Sequence, residues 1–262
     1  MLLWIYDVPN WLLFLIIVSG TLAVGWVAVC VLRPVMGRLF GDRDERNTMV
    51  DLVLTGTGLF YGLLLGLIAA AAYTTFSEAQ ATADKEASTV AALYRDASAY
   101  PEPVRSVLRG QLEEYVDYVI DEAWPQQRRG QVPTGGIEKA TAILNTLATF
   151  QPANPGQAAF HSETLRQYNN FVEARRARLT AVTAGLPPSL WWVLIIGALI
   201  NLVLMSMLGV RRLLAHLLVA GLFAIFVGMM LFLIVSLDNP FLGHYSVDSS
   251  GLELLRDTVL RR

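Results

Sequence analysis

Four apolar runs constrain the fold of this chain more than any other feature. They are Trp11 to Leu32, Leu52 to Phe76, Ser189 to Leu208 and Leu213 to Leu237. Each is long enough to cross a bilayer, which takes about 20 mainly apolar residues at about 1.5 Å apiece. No Asp, Glu, Lys or Arg lies inside any of them. Only 16% of the chain is charged, against about 25% in soluble domains. The first run is too long for a signal-peptide core and no small-residue cleavage site follows it, so it reads as a true span.

The spans read as two hairpins, closed by short loops at 33–51 and 209–212, with a polar stretch at 77–188 between them. The expected division is 1–76 for the first transmembrane hairpin, 77–188 for a helical extramembrane domain, 189–237 for the second hairpin and 238–262 for a tail. The polar stretch has no strand-like alternation, and its pattern predicts four helices, at 77–99, 103–124, 137–150 and 157–184. No break separates the first of these from the second span, so a single rod of about 70 Å is expected over 52–99. Tyr100-Pro101-Glu102-Pro103 ends that rod, because proline disfavours helical geometry in the residue before it. Val104, Val107, Leu108, Leu112, Tyr115 and Val119 then follow helical spacing behind a first-turn proline. The fold class is all-α: a multi-pass membrane protein with four transmembrane helices in two hairpins and a helical insertion between spans two and three.

Little in the sequence carries chemistry. A net charge of −2 leaves no electrostatic footprint for nucleic acid. His161, His216 and His244 are far apart and lack cysteine partners, and Cys30 is the only cysteine, so no metal or cofactor is expected. The glycines of TGTGLFYG are followed by leucine rather than by Lys-Ser/Thr, which is no phosphate loop. Neither G-x-S-x-G nor HExxH occurs, and the chain is not expected to be an enzyme. Eighteen arginines against two lysines point to a GC-rich bacterial genome, and so to a bacterial inner membrane.

The second span carries a ridge of small residues every fourth position, Gly58, Gly62, Gly66, Ala70 and Thr74. Four residues advance about 400° on a helix, so the ridge drifts about 40° per step and makes a slanted groove. That is the geometry of small-xxx-small packing, here against span one or span three. Asn201, near the middle of span three, is expected to act as helix–helix glue. The other side of span two, Phe60, Leu64, Leu67 and Ala71, is the candidate pore lining.

Glu113, Asp117 and Asp121 lie at i, i+4 and i+8 and form an acidic stripe, either a solvated face or a vestibule that concentrates cations. Arg175, Arg176 and Arg178 form a basic cluster suited either to anionic headgroups or to that stripe. The short loops hold six arginines (Arg33, Arg38, Arg43, Arg46, Arg211, Arg212), and the flanks of the insertion hold Lys85, Arg175, Arg176 and Arg178. Six against four favours short loops in the cytoplasm.

Asp238-Asn239-Pro240-Phe241, just past the fourth span, resembles the Asn-Pro-Phe motif of the bestrophin family of pentameric ion channels. The chain is also similar to a bacterial bestrophin-like membrane family, through its glycine-rich second span, Ala92-Leu93-Tyr94-Arg95-Asp96-Ala97, Glu122-Ala123-Trp124-Pro125 and Leu186-Pro187-Pro188-Ser189-Leu190-Trp191. The resemblance implies a homo-oligomer, a pentamer as in bestrophins, with span two along the pore. It also places termini and insertion in the cytosol, opposite to the arginine count, so the side of the membrane stays open. The acidic calcium clasp of animal bestrophins is missing, since Leu242-Gly243-His244-Tyr245-Ser246-Val247-Asp248 supplies too few carboxylates. The function expected is a homo-oligomeric ion channel in the lipid bilayer, favouring cations over anions. The alternative is a non-conducting sensor or scaffold whose insertion binds a partner.

Overall fold

The computed structural model describes Tyr6 and residues 8–39 and 43–260. Residues 1–5 of the expected N-terminal segment and 40–42 of the expected first loop lie outside the described residues, as does the side chain of Arg43. No strand occurs among the described residues. The long helices are α1 (Asn10–Leu39), α2 (Arg43–Ala97), α3 (Val104–Tyr118), α5 (Gly136–Thr149), α6 (Pro155–Ala181), α7 (Pro188–Met207) and α8 (Leu213–Asp238). Two short ones, α4 (Trp124–Gln127) and α9 (Ser250–Leu255), complete the series. Helices α1, α2, α7 and α8 are long and apolar enough to cross a membrane.

Three elements differ from expectation. The stretch expected as the loop 33–51 is largely helical, because α1 runs on through Pro34 to Leu39 and α2 already starts at Arg43. Arg38 in the last turn of α1 and Asp44 and Glu45 in the first turn of α2 suit the helix dipoles there. The helix expected over 103–124 is interrupted by a π-helical turn, Val119–Ala123, in which the Trp124 amide reaches back five residues to the Val119 carbonyl. Pro125 explains it, since a proline ring clashes with the carbonyl four residues earlier, and an extra residue in the turn relieves that clash. The expected tail contains α9, followed by a π-helical turn at Arg256–Leu260.

The chain divides into two compact units, Met1–Thr74 with Gly185–Asp238, and Thr75–Ala184 with Asn239–Arg262. In the first unit α1 runs antiparallel to α8. Phe14 meets Phe232 edge-on at 5.2 Å, a Cβ on Gly25 would stand 3.1 Å from Ala224, and Trp26 Nε1 donates to the Leu217 carbonyl at 3.0 Å. At one end of the bundle Arg33 donates to the carbonyls of Val210 and Arg211, and the Gly209 amide donates to Asn47 Oδ1 at 2.6 Å.

The second unit has its own core. Ala79, Ala83, Ala87, Val90, Leu93 and Ala97 of α2 pack there with Leu112 and Tyr115 of α3, Ile143 and Leu147 of α5, and Phe171 of α6. Phe241, Val247, Leu252, Leu255 and Leu260 belong to the same core. The α2 residues recur every three to four positions, the spacing of one helical stripe. Their small size lets neighbouring helices approach closely.

Candidate functional site

Within the first unit α2 has two contrasting faces. The packed face is Tyr61, Leu65, Ile68 and Ala72, and its partners are Leu194 and Ala198 of α7 with Val227 and Ile234 of α8. The opposite face is apolar and uncovered. Phe60 is 73% exposed and Leu67 62%, and Leu52, Leu59, Leu63 and Tyr73 are similarly bare. No charged residue falls between Asp51 and Glu78.

The expected pore residues do not all share that face. Phe60, Leu67 and Ala71 are exposed, whereas Leu64 is half-buried and packs against the cluster around Tyr61. Drift is the cause: a four-residue step from Phe60 turns Leu64 about 40° toward the packed side. Leu59 and Leu63 are on the bare face as well. The signal for them in the sequence is spacing, since Leu59 follows Leu52 by seven residues and Leu63 precedes Leu67 by four.

The small-residue ridge divides in the same way. A Cβ on Gly58 would meet Asn201 Oδ1 of α7 at 3.7 Å, while Gly62 and Gly66 have nothing within 4 Å. The groove thus begins against α7 and winds away from it. Asn201 is buried, accepts from Thr57 Oγ1 at 3.4 Å and donates to the Gly197 carbonyl of its own helix at 2.9 Å. Tyr61 adds a second polar tie, its hydroxyl donating to the Leu194 carbonyl at 2.9 Å while its ring lies over Gly197. Tyr61→Phe should lower stability in detergent by about 0.6–1.7 kcal/mol, the range for hydrogen bonds between membrane helices. An unchanged unfolding midpoint would show that this bond contributes nothing.

In the second unit the acidic stripe is partly engaged. Glu113 accepts from the Tyr94 hydroxyl at 3.1 Å, and burial followed by this bond raises the Tyr94 pKa. Asp117 and Asp121 lie 3.8 and 3.5 Å from Arg256. The basic cluster joins neither the stripe nor solvent as a group: Arg176 is exposed, while Arg175 and Arg178 are buried. Arg178 forms a two-point ion pair with Glu86, Nε to Oε2 at 2.5 Å and Nη2 to Oε1 at 3.1 Å. The Tyr115 hydroxyl donates to the same Oε1, and the Trp124 ring lies 5.2 Å from the guanidinium. Burial and then the Glu86 charge push the Tyr115 pKa well up. A lone Glu86 in an alanine-rich helix gave no hint in sequence of this pair, which joins positions 92 apart.

The four-residue motif after α8 is structural in each unit. Buried Asp238 accepts from the Leu186 amide at 2.5 Å and from Trp191 Nε1 at 3.3 Å, which ties the end of α8 to the entry of α7. In the second unit Phe241 is fully buried with its ring 5.8 Å from that of Trp124, and the Pro240 carbonyl accepts from the Val247 amide at 2.7 Å. His161 Nδ1 meets the Tyr100 hydroxyl at 2.7 Å, with its pKa lowered by burial, and His216 meets the Met205 carbonyl. No group of three potential metal-ligating side chains occurs among the described residues.

Four helices of spanning length in an all-helical chain define an integral membrane protein. A family profile for the bestrophin-like domain matches residues 19–252, and the chain belongs to that family. Its fold is similar to that of a single-substitution variant of a bacterial bestrophin homolog from Klebsiella pneumoniae, with a TM-score of 0.71 at 12% identity over 95% of this chain and 96% of that one. A second variant of that homolog gives 0.68 at 13% identity over 95% and 98%. At such identities the likeness is one of fold. No curated protein matches the sequence.

Proposed function

We propose that the chain is one subunit of a homo-oligomeric ion channel, a pentamer as in bestrophins, in a bacterial inner membrane. The observation that carries this is the bare, uncharged face of α2 from Leu52 to Tyr73. Hydrophobic constrictions gate ions by dewetting, so an apolar lining is compatible with a pore. In this reading the spans form two hairpins, α1 with α2 and α7 with α8. The division is 1–76, 77–188, 189–237 and 238–262, with 77–188 extramembrane. Phe60, Leu67 and Ala71 face the pore, with Leu63 beside them and Leu64 at the margin.

Glu113, Asp117 and Asp121 supply the preference for cations. Arg256 offsets part of their charge, so the selectivity is modest. The test is purified protein in planar bilayers. Phe60→Ala should raise unitary conductance, and Asp117→Asn with Asp121→Asn should move the reversal potential toward the anion value. A well-folded oligomer that passes no current, with or without Phe60→Ala, would refute the channel and leave the sensor or scaffold, in which the helical insertion binds a partner.

A further inference from the structure

One end of the first unit presents a carboxylate that the chain itself does not use. Asn47, Asp51 and Thr55 stand at i, i+4 and i+8 on α2, so they share one face of that helix, with Leu52 beside them. The connection between α7 and α8 packs against α2 at the same level. The Gly209 amide donates to Asn47 Oδ1, and a Cβ on Gly209 would collide with Arg46 Nη2, so the turn is drawn hard against the helix. Leu208 and Val210 flank that glycine, and with the α2 residues they line an open cleft of about 680 Å³.

The groups in the cleft decide what it can take. Its volume falls within the range of about 300–1,000 Å³ that small-molecule sites occupy. Leu52, Leu208 and Val210 supply apolar walls. Asp51 is the one charged side chain lining it, and it makes no hydrogen bond or ion pair among the described residues. A single carboxylate gives too few oxygens for a calcium site, which takes six or more, and it repels an anion. It attracts an organic cation, whose hydrocarbon groups the apolar walls would cover. Arg46 stands behind Gly209, and Arg33 donates to the carbonyls of Val210 and Arg211, so positive charge already backs that wall. A ligand with several positive charges is therefore disfavoured against one with a single charge placed at Asp51.

We propose that this cleft binds a small monovalent organic ammonium ion, its nitrogen beside Asp51 and its hydrocarbon groups against Leu52, Leu208 and Val210. The site lies within the first unit, and its occupancy does not depend on conduction.

The test titrates the full chain in detergent with tetraethylammonium chloride against sodium chloride at equal ionic strength. The unfolding midpoint should rise saturably with tetraethylammonium and not with sodium. Tetramethylammonium, which lacks the outer methyl groups, should need a higher concentration because it covers less of the apolar wall. Asp51→Asn should weaken half-saturation by about fivefold, the upper end for an exposed ion pair, whereas Asp51→Glu keeps the charge and should bind nearly as well as the unaltered chain. Neither substitution removes a hydrogen bond or ion pair of the fold, so both variants should remain folded. A midpoint that responds alike to both salts, or a half-saturation that Asp51→Asn leaves unchanged, would overturn the proposal and leave the cleft to a neighbouring copy of the chain. Because binding is the readout, a chain that passes no current can still confirm the site, and one that conducts without this response refutes the site alone.

Discussion

Replacing Glu86 with alanine is expected to destabilise the helical unit by about 3–5 kcal/mol, the cost of breaking a buried ion pair from one side. Arg178 would keep its charge at 1% exposure with neither carboxylate contact. Tyr115 would lose its acceptor as well, leaving a buried hydroxyl unpaired. The remaining support for the guanidinium is the Trp124 ring, worth about 2 kcal/mol in a desolvated setting. Stabilities of single domains are about 5–15 kcal/mol, so the loss is a large fraction of the total. Thermal or denaturant unfolding followed by helical circular dichroism measures it. The triple variant Glu86→Leu, Arg178→Met and Tyr115→Phe should recover most of the loss, because apolar residues often replace a buried pair at little cost. If Glu86→Ala unfolds at the original midpoint, the pair does not hold this core together.

The second large effect is expected at Gly228 in the first unit. A Cβ there would lie 3.0 Å from Val18 Cα and closer still to Thr21 Oγ1. The Thr21 side chain can turn away, but the backbone of α1 cannot yield without moving the whole helix. Gly228→Leu therefore separates α1 from α8 and should cost about 1–3 kcal/mol or more as overpacking. The expected readout is a lowered unfolding midpoint and loss of a monodisperse peak in size-exclusion chromatography. Thr21→Ala should rescue only part of it. Gly20→Ala is the control, since nothing lies within 4 Å of a Cβ there. Gly62→Ala makes a second comparison. A Cβ there too meets nothing within 4 Å among the described residues, so disturbed assembly in this variant would point to the proposed contact between copies.

Apolar runs made the helical class legible, because a span of about 20 apolar residues has few alternatives. Span limits came within a residue or two for α7 and α8, where Pro187 and Pro188, Gly209 and Asp238 punctuate the sequence. Composition was a poorer guide between α1 and α2, where polar residues at 33–39 and 43–51 continue the helices instead of ending them. The short helix α9 was missed, although Leu252 and Leu255 stand a helical turn apart behind Asp248, which accepts from the Ser250 amide. Leu64 and the glycines at 62 and 66 show why a four-residue repeat misleads over several turns, since each step rotates the side chain off its face. Nothing local could reveal that Glu86 and Arg178 meet, because their pairing depends on how α2 and α6 dock.

The core shared by residues 75–184 and 239–260 has a consequence for biogenesis. Phe241, Val247, Leu252, Leu255 and Leu260 fill positions beside residues of α2, α3 and α5, yet α7 and α8 are translated in between. The ribosome therefore delivers two membrane spans before the helical unit receives its last apolar side chains. Until then the nascent unit stands open along one side, so insertion of α7 and α8 into the bilayer precedes completion of a fold begun far upstream in the chain.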